Sequence, residues 1–190
     1  TFLFFDDFND GSINTAKWTA DIQLGTITET GGYLRAGGGI TSGNYGHVSL
    51  GSEVGYDDFL NNSVVWRARN ATDSIGELVF RGDFGTNRGY KARFEARVGA
   101  NGQGFLEQPY TGWTFSAGTG CGSDSDEPLA NQWYTYQVTA SNTAFEMYRD
   151  NVLKRSCSDG TFTLPGEIAL QNHYGSYTDY DWVAVRPFVT

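Results

Sequence analysis

Residues 133–156, WYTYQVTASNTAFEMYRDNVLKRS, alternate aromatic or aliphatic side chains with polar ones along most of their length. A period of two sends successive side chains to opposite faces of an extended chain, so the stretch reads as strands and not as helix. Strands are predicted over Trp133–Ser141, Ala144–Arg149 and Val152–Ser156. Between the last two, Asp150-Asn151 reads as a tight hairpin turn, because both side chains tolerate left-handed backbone. The aromatic and aliphatic residues of Trp133–Val138 and Phe145–Val152 would supply one inward layer, with the polar alternates facing out.

The same pattern recurs outward from this hairpin. Further strands are predicted over Ser63–Arg69, Glu77–Arg81, Gly89–Val98, Gly104–Gln108, Glu167–Asn172 and Tyr180–Pro187. Glycine clusters at 31–32, 37–39 and 99–104 punctuate the chain. No amphipathic helix is legible, and short strands at turn-limited spacing imply one antiparallel sandwich domain over residues 1–190. The one long polar stretch, Ser116–Asn131, is a loop of functional length.

The chain has 190 residues and 25 glycines, with 13 lysines plus arginines against 22 acids, a net charge of −9. Such a surface repels phosphate backbones and anionic lipid, so neither nucleic acid nor membrane insertion is expected. The apolar run Thr1–Phe5 is too short to span a bilayer and lacks the basic flank of a signal peptide. The start without Met suggests a processed chain. Cys121 and Cys157 are the only cysteines and belong to no CxxC pair, which suits a secreted protein with one disulfide between them, two unpaired thiols being the alternative. Asn61-Asn62-Ser63 and Asn70-Ala71-Thr72 match the glycosylation triplet.

Both ends of the chain resemble a known family. Phe4-Phe5-Asp6-Asp7-Phe8-Asn9-Asp10-Gly11 with Lys17-Trp18 is similar to the "FFDxFNG…W" opening of laminarinase- and lichenase-type β-glucanases and related laminin-G-like modules. Gly32-Tyr33-Leu34-Arg35-Ala36 resembles their next strand. Trp133–Tyr136 with Phe145–Leu153, Gly166–Leu170, and Tyr180-Asp181-Trp182-Val183-Ala184-Val185 resemble their later motifs, in the same order. The resemblance implies the concanavalin A-like fold, an all-β, two-sheet antiparallel jelly-roll sandwich with ligands on one concave face.

The family's catalytic motif is not legible. Retaining β-glucanases carry E-x-D-x-(x)-E on one strand, because the reaction needs a nucleophilic carboxylate and a proton-donating one close together. The comparable strand here, Gly89–Val98, presents Lys91, Arg93, Glu95 and Arg97 on one face and Tyr90, Ala92, Phe94 and Ala96 on the other. Neither face holds an acid pair, so no catalytic residues are assigned. His47 and His173 are the only histidines and show no zinc-ligand spacing, and no G-x-S-x-G elbow is present. His173-Tyr174 with Arg67, Arg69 and Arg93 could be forced into a lyase site, but His173 reads as a loop residue after a strand. The cations of Gly89–Val98 read as an exposed face paired with acids on neighbouring strands. Alternatively, Arg67, Arg69, Arg81, Lys91 and Arg93 form one basic stripe for an anionic ligand.

The resemblance also implies a structural Ca2+ site built from the carbonyls of Asp7 and Gly32 and the carboxylate of Asp181, with Asp7 standing where the glucanases have proline. Calcium accepts such hard oxygens. Asp124, Asp126 and Glu127 read as a solvated acidic loop. Tyr110, Trp113, Tyr174 and Tyr177 are candidate sugar-stacking aromatics, to which Arg67 and Arg93 add polar contacts; Trp18, Trp66, Trp133 and Trp182 are expected in the core. These features suggest an extracellular, non-catalytic module binding a glycan or cell-surface polysaccharide. Two alternatives stand beside it: a structural subunit polymerising through its N-terminal strand, and a carbohydrate-active enzyme with an unrecognised site.

Overall fold

The computed structural model describes residues 2–22, 25–40, 46–50, 60–83, 88–96, 109–110, 114–115 and 126–188; within these, the side chains of 21–22, 38–40, 46–50, 88, 109–110 and 114–115 lie outside the description. The described strands are β1 (Phe4–Asp6), β2 (Trp18–Ile22), β3 (Thr26–Thr30), β4 (Tyr33–Ile40), β5 (Gly46–Leu50), β6 (Asn62–Asn70), β7 (Ile75–Asp83), β8 (Arg88–Glu95), β9 (Pro109–Tyr110), β10 (Thr114–Phe115), β11 (Tyr134–Ser141), β12 (Ala144–Arg149), β13 (Val152–Ser158) and β14 (Glu167–Pro187). No helix occurs among the described residues, and none is long and apolar enough to cross a membrane.

Every described strand pairing is antiparallel, and β14 belongs to two layers. Its first part, Glu167–Tyr174, lies between β5 and β7, with β2 beyond β5 and β8 beyond β7; this is the front sheet. Its remainder lies between β6 on one side and β4 and β1 on the other, with β11, β12 and β13 beyond β6 and β3 beyond β4; this is the back sheet. The predicted strands Glu167–Asn172 and Tyr180–Pro187 are therefore one strand, and His173 lies within it instead of in a loop.

Gly175 makes this crossing. Its φ is +86°, and a Cβ there would lie 2.2 Å from the Asp73 carbonyl oxygen, so only glycine fits the corner. Ser74 Oγ accepts the amides of Ser176 and Tyr177 at 3.0 and 3.3 Å. Asn172 Nδ2 donates to Thr178 Oγ1, which donates to Asn70 Oδ1, while Asn70 Nδ2 donates to the Phe94 carbonyl. Asn70 is buried, so its amide is no glycosylation acceptor in the folded protein.

Between the sheets lie the inward alternates. Trp66 stacks on Tyr136 at 5.5 Å, and Tyr136 stacks on Phe94 across the interior at 4.5 Å. Tyr180 is fully buried and reaches the front sheet, donating to the carbonyls of Glu77 and Gln171. Phe4, Phe8 and Trp18 close one end, as the aromatic opening of the sequence requires. β1 pairs within its own chain along one edge, Phe4 opposite Val185. Three of the described hairpins use residues with positive φ: Gly31-Gly32 between β3 and β4, Asn142 between β11 and β12, and Asp150-Asn151 between β12 and β13 as predicted.

Candidate functional site

Each sheet presents one outward face. On the front sheet, Leu78, Phe80, Ala92, Phe94, Ile168 and Leu170 belong to the core, so alternation turns Glu77, Lys91, Arg93, Glu95 and Gln171 the other way. Register places Glu77 opposite Gln171 on one side and Arg93 on the other. Lys91 Nζ donates to Glu77 Oε2 at 2.6 Å, Arg93 Nε donates to Glu77 Oε1 at 3.0 Å, and Gln171 Nε2 also donates to Glu77 Oε2. Arg93 Nη1 then donates to Glu95 Oε1 at 3.1 Å, bridging the two acids.

Glu77, Lys91 and Gln171 are buried. Burial alone would raise the Glu77 pKa, but the charges of Lys91, His173 and Arg93 overcome it and hold the carboxyl down to about 2. An acid so placed remains a carboxylate at neutral pH and donates no proton. The cations facing it do pair with acids on a neighbouring strand, as the sequence suggested, but the face is buried and not solvated. What remains accessible is a rim, with the Arg93 side chain 16% exposed and His173 and Tyr174 half-buried.

The outward face of the back sheet carries a different arrangement. Asp179 is fully buried, and Arg35 grips both its oxygens, Nε at 2.7 Å and Nη2 at 2.9 Å. Arg69 Nε donates to the same carboxylate at 2.9 Å, and Arg67 Nη1 donates to Asp181 at 2.7 Å. The guanidinium groups also lie over aromatic rings. Arg35 is 3.8 Å from the Tyr177 centroid and 5.4 Å from Tyr33, and Arg69 is 5.5 Å from Tyr33 and 4.6 Å from Trp133. Arg67 is 5.4 Å from Trp133. A half-exposed ladder results, alternating Tyr177, Arg35, Tyr33, Arg69, Trp133 and Arg67.

The structure therefore brings some predicted residues together and separates others. Arg67 and Tyr177 share the back-sheet ladder, while Arg93 and Tyr174 belong to front-sheet strands. The single basic stripe does not form, since Arg67 and Arg69 are on β6 and Lys91 and Arg93 are on β8. Arg81 leaves that face too; it lies 4.9 Å from the Phe145 ring and donates to the carbonyls of Leu60 and Phe162, at a positive-φ irregularity in β7. Trp133 and Trp182 are half-buried and not core, unlike Trp18 and Trp66. Tyr110 is placed in β9, opposite Thr114, without its side chain; Trp113, Cys121, Asp124 and Arg97 lie outside the described residues, as does the predicted strand Gly104–Gln108. Asp126 is not simply solvated, because Arg149 and Lys154 both bond its carboxylate.

Sequence reading missed Arg35, Tyr33, Asp179 and Gln171. A signal existed for Asp179: Arg67-x-Arg69 and Asp179-x-Asp181 share a spacing of two, which suits charge pairs across adjacent strands.

The positions expected to hold calcium lie near one another along β14. Asp7 follows β1, whose Asp6 is opposite Val183; Gly32 precedes β4, whose Leu34 is opposite Tyr180; Asp181 lies between these points. One Asp181 oxygen is engaged by Arg67. Among the described residues, no group of three or more metal-ligating side chains occurs.

No family model and no curated protein matches the sequence. Solved structures do match the fold. A laminarinase catalytic domain from Thermotoga maritima superposes with a TM-score of 0.72 at 12% identity, over 100% of this chain and 99% of that one. The carbohydrate-binding module CBM66 from Bacillus subtilis gives 0.71 at 18% identity, over 91% and 97%. A Bacillus licheniformis β-glucanase gives 0.66 at 16%, over 96% of each chain. The chain thus has the concanavalin A-like jelly-roll fold, common to enzymes and binding modules alike.

Proposed function

We propose that the chain is a secreted, non-catalytic carbohydrate-binding module that meets its glycan at the outward face of the front sheet, around Arg93. The observation that carries this reading is the clamp on Glu77. Glycosidic cleavage by two carboxylates needs one of them protonated and poised at the bond. Glu77 is held ionised by Lys91 and Arg93, and Glu95, its neighbour on that face, is tied to the same guanidinium. The clamp holds in place the accessible rim of Arg93, His173 and Tyr174, and a pre-ordered site of this kind loses little entropy on binding a sugar. The relatives in fold include one named as a carbohydrate-binding module and others named as glucanases, which supports a glycan as the ligand class.

Calcium held by the Asp7 and Gly32 carbonyls and the Asp181 carboxylate would tie β1, β4 and β14 together and stabilise the fold by mass action. A Cys121–Cys157 bridge fits the absence of free cysteines among the described residues and supports an extracellular location.

A glycan array in calcium buffer, run beside assays for reducing-sugar release and for unsaturated products, tests the proposal. Binding without product formation is expected. Turnover of any bound glycan would contradict it. One observation favours the second reading, a self-assembling subunit: Phe2, Leu3 and Phe5 are 58%, 47% and 45% exposed, and Phe2 stacks on Phe5. Negative-stain microscopy separates the two.

A further inference from the structure

At the far end of the back sheet from the arginine ladder, four strands lay polar residues side by side on the outward face. Register aligns Glu146 of β12, Thr139 of β11, Ser63 of β6 and Arg186 of β14 in one row. Gln137 stands in the next row, where its Oε1 accepts from Arg186 at 3.3 Å. Ser63, Gln137, Thr139, Arg186, Pro187 and Phe188 line a cavity of about 310 Å3. That is the lower end of the size range of small-molecule sites.

One group in this cavity has no structural explanation inside the protein. Ser63 Oγ is buried, its residue 3% exposed, and it has no hydrogen-bond partner. Buried hydroxyls are almost always paired, so an orphan lining a cavity points to a partner that enters it. The walls are chemically mixed. Thr139 and Gln137 offer a hydroxyl and an amide, and Arg186 offers a charged donor; outside the cavity, Glu146 accepts from Thr139 at 3.4 Å and holds its hydroxyl in place. Pro187 and Phe188 form an apolar lip. Polar groups for a ring's hydroxyls beside an apolar surface for its C–H face are what a pyranose requires.

We infer that this cavity is a second binding site, sized for a single sugar ring and separate from the Arg93 face. Choosing sugar as the ligand rests on the proposed glycan-binding function; the site and its orphan hydroxyl do not. Ser63 Oγ pairs with a ring hydroxyl, Arg186 and Gln137 bond the neighbouring oxygens, and Phe188 packs on the apolar face.

Amide NMR titration with methyl β-glucoside, methyl β-galactoside, N-acetylglucosamine and glucuronate, at millimolar concentrations, tests this site. At least one probe is expected to shift the amides of Ser63, Thr139 and Arg186. Ser63→Ala and Phe188→Ala should each weaken that probe's binding at least fivefold, while Arg93→Ala leaves it unchanged. Ser63→Ala loses no internal hydrogen bond, so its melting temperature should match the parent and a binding loss cannot be ascribed to unfolding. Shifts confined to the surroundings of Glu77 and Arg93, no shift with any probe, or full affinity in both variants would overturn the second site. The first of these outcomes would leave the Arg93 reading standing.

Discussion

Glu77 and Lys91 form an ion pair of 2.6 Å on the outward side of the front sheet, both side chains essentially closed to solvent. Taking two charges out of water is expensive, and the pair persists because Arg93 and Gln171 complete the hydrogen bonding of the carboxylate. Breaking one side strands a charge. Lys91→Met or Glu77→Gln should each lower stability by about 3–5 kcal/mol, and the double variant should lose less than the sum of the singles. Urea unfolding of the four proteins measures this, and strict additivity would show the pair to be uncoupled.

The same carboxylate predicts an acid response. Its folded pKa of about 2 is below the ordinary 4.5, so it contributes stability that is full above pH 4.5 and is lost as pH falls towards 2. The urea midpoints of wild type and Glu77→Gln should therefore converge between pH 4.5 and 2. A constant gap across that window would contradict the depressed pKa.

On the back sheet, Asp179→Asn removes the negative charge and one of the two acceptor oxygens shared by Arg35 and Arg69. Both arginines are partly exposed and can turn to water, so a loss of about 1–3 kcal/mol is expected. Trp133 fluorescence should change as Arg69 leaves its ring. An unaltered emission spectrum with wild-type stability would mean that Asp179 does not organise the ladder.

Gly175→Ala should be among the most damaging single changes outside the core. The added carbon would meet backbone at 2.2 Å in a left-handed conformation, at the point where β14 changes sheet. Loss of soluble folded protein, or a melting temperature many degrees lower, is the expected result; a wild-type melting curve would show that the corner relaxes.

Much of the fold was legible because its strands alternate cleanly. β6, β11 and β12 bury every second side chain over most of their length, and that periodicity is visible in residues 62–70 and 134–149. The continuity of β14 was hidden, since Gly175-Ser176 looks like a turn and instead lets one strand serve two sheets. The tryptophans misled for a related reason. A bulge between Tyr180 and Trp182 shifts the phase of β14, so Trp182 escapes the core. Trp133 lies in a run with aromatics at 133, 134 and 136, and period two alone cannot say which alternate faces in. The candidate site was half visible: Arg93 stood out as a cation on an acidic chain, but its partner Glu77 is on another strand, and cross-strand register is set by the fold and not by local spacing.

Calorimetric titration of the glycan selected by the array into wild type, Arg93→Ala and Arg67→Ala tests the central claim most directly, because these two arginines stand on different sheets. Arg93→Ala should weaken binding at least tenfold, and Arg67→Ala should leave it within a factor of two, with the glycan recovered intact. Undiminished affinity in Arg93→Ala, or cleaved glycan in the cell after titration, would contradict a non-catalytic site on the front sheet.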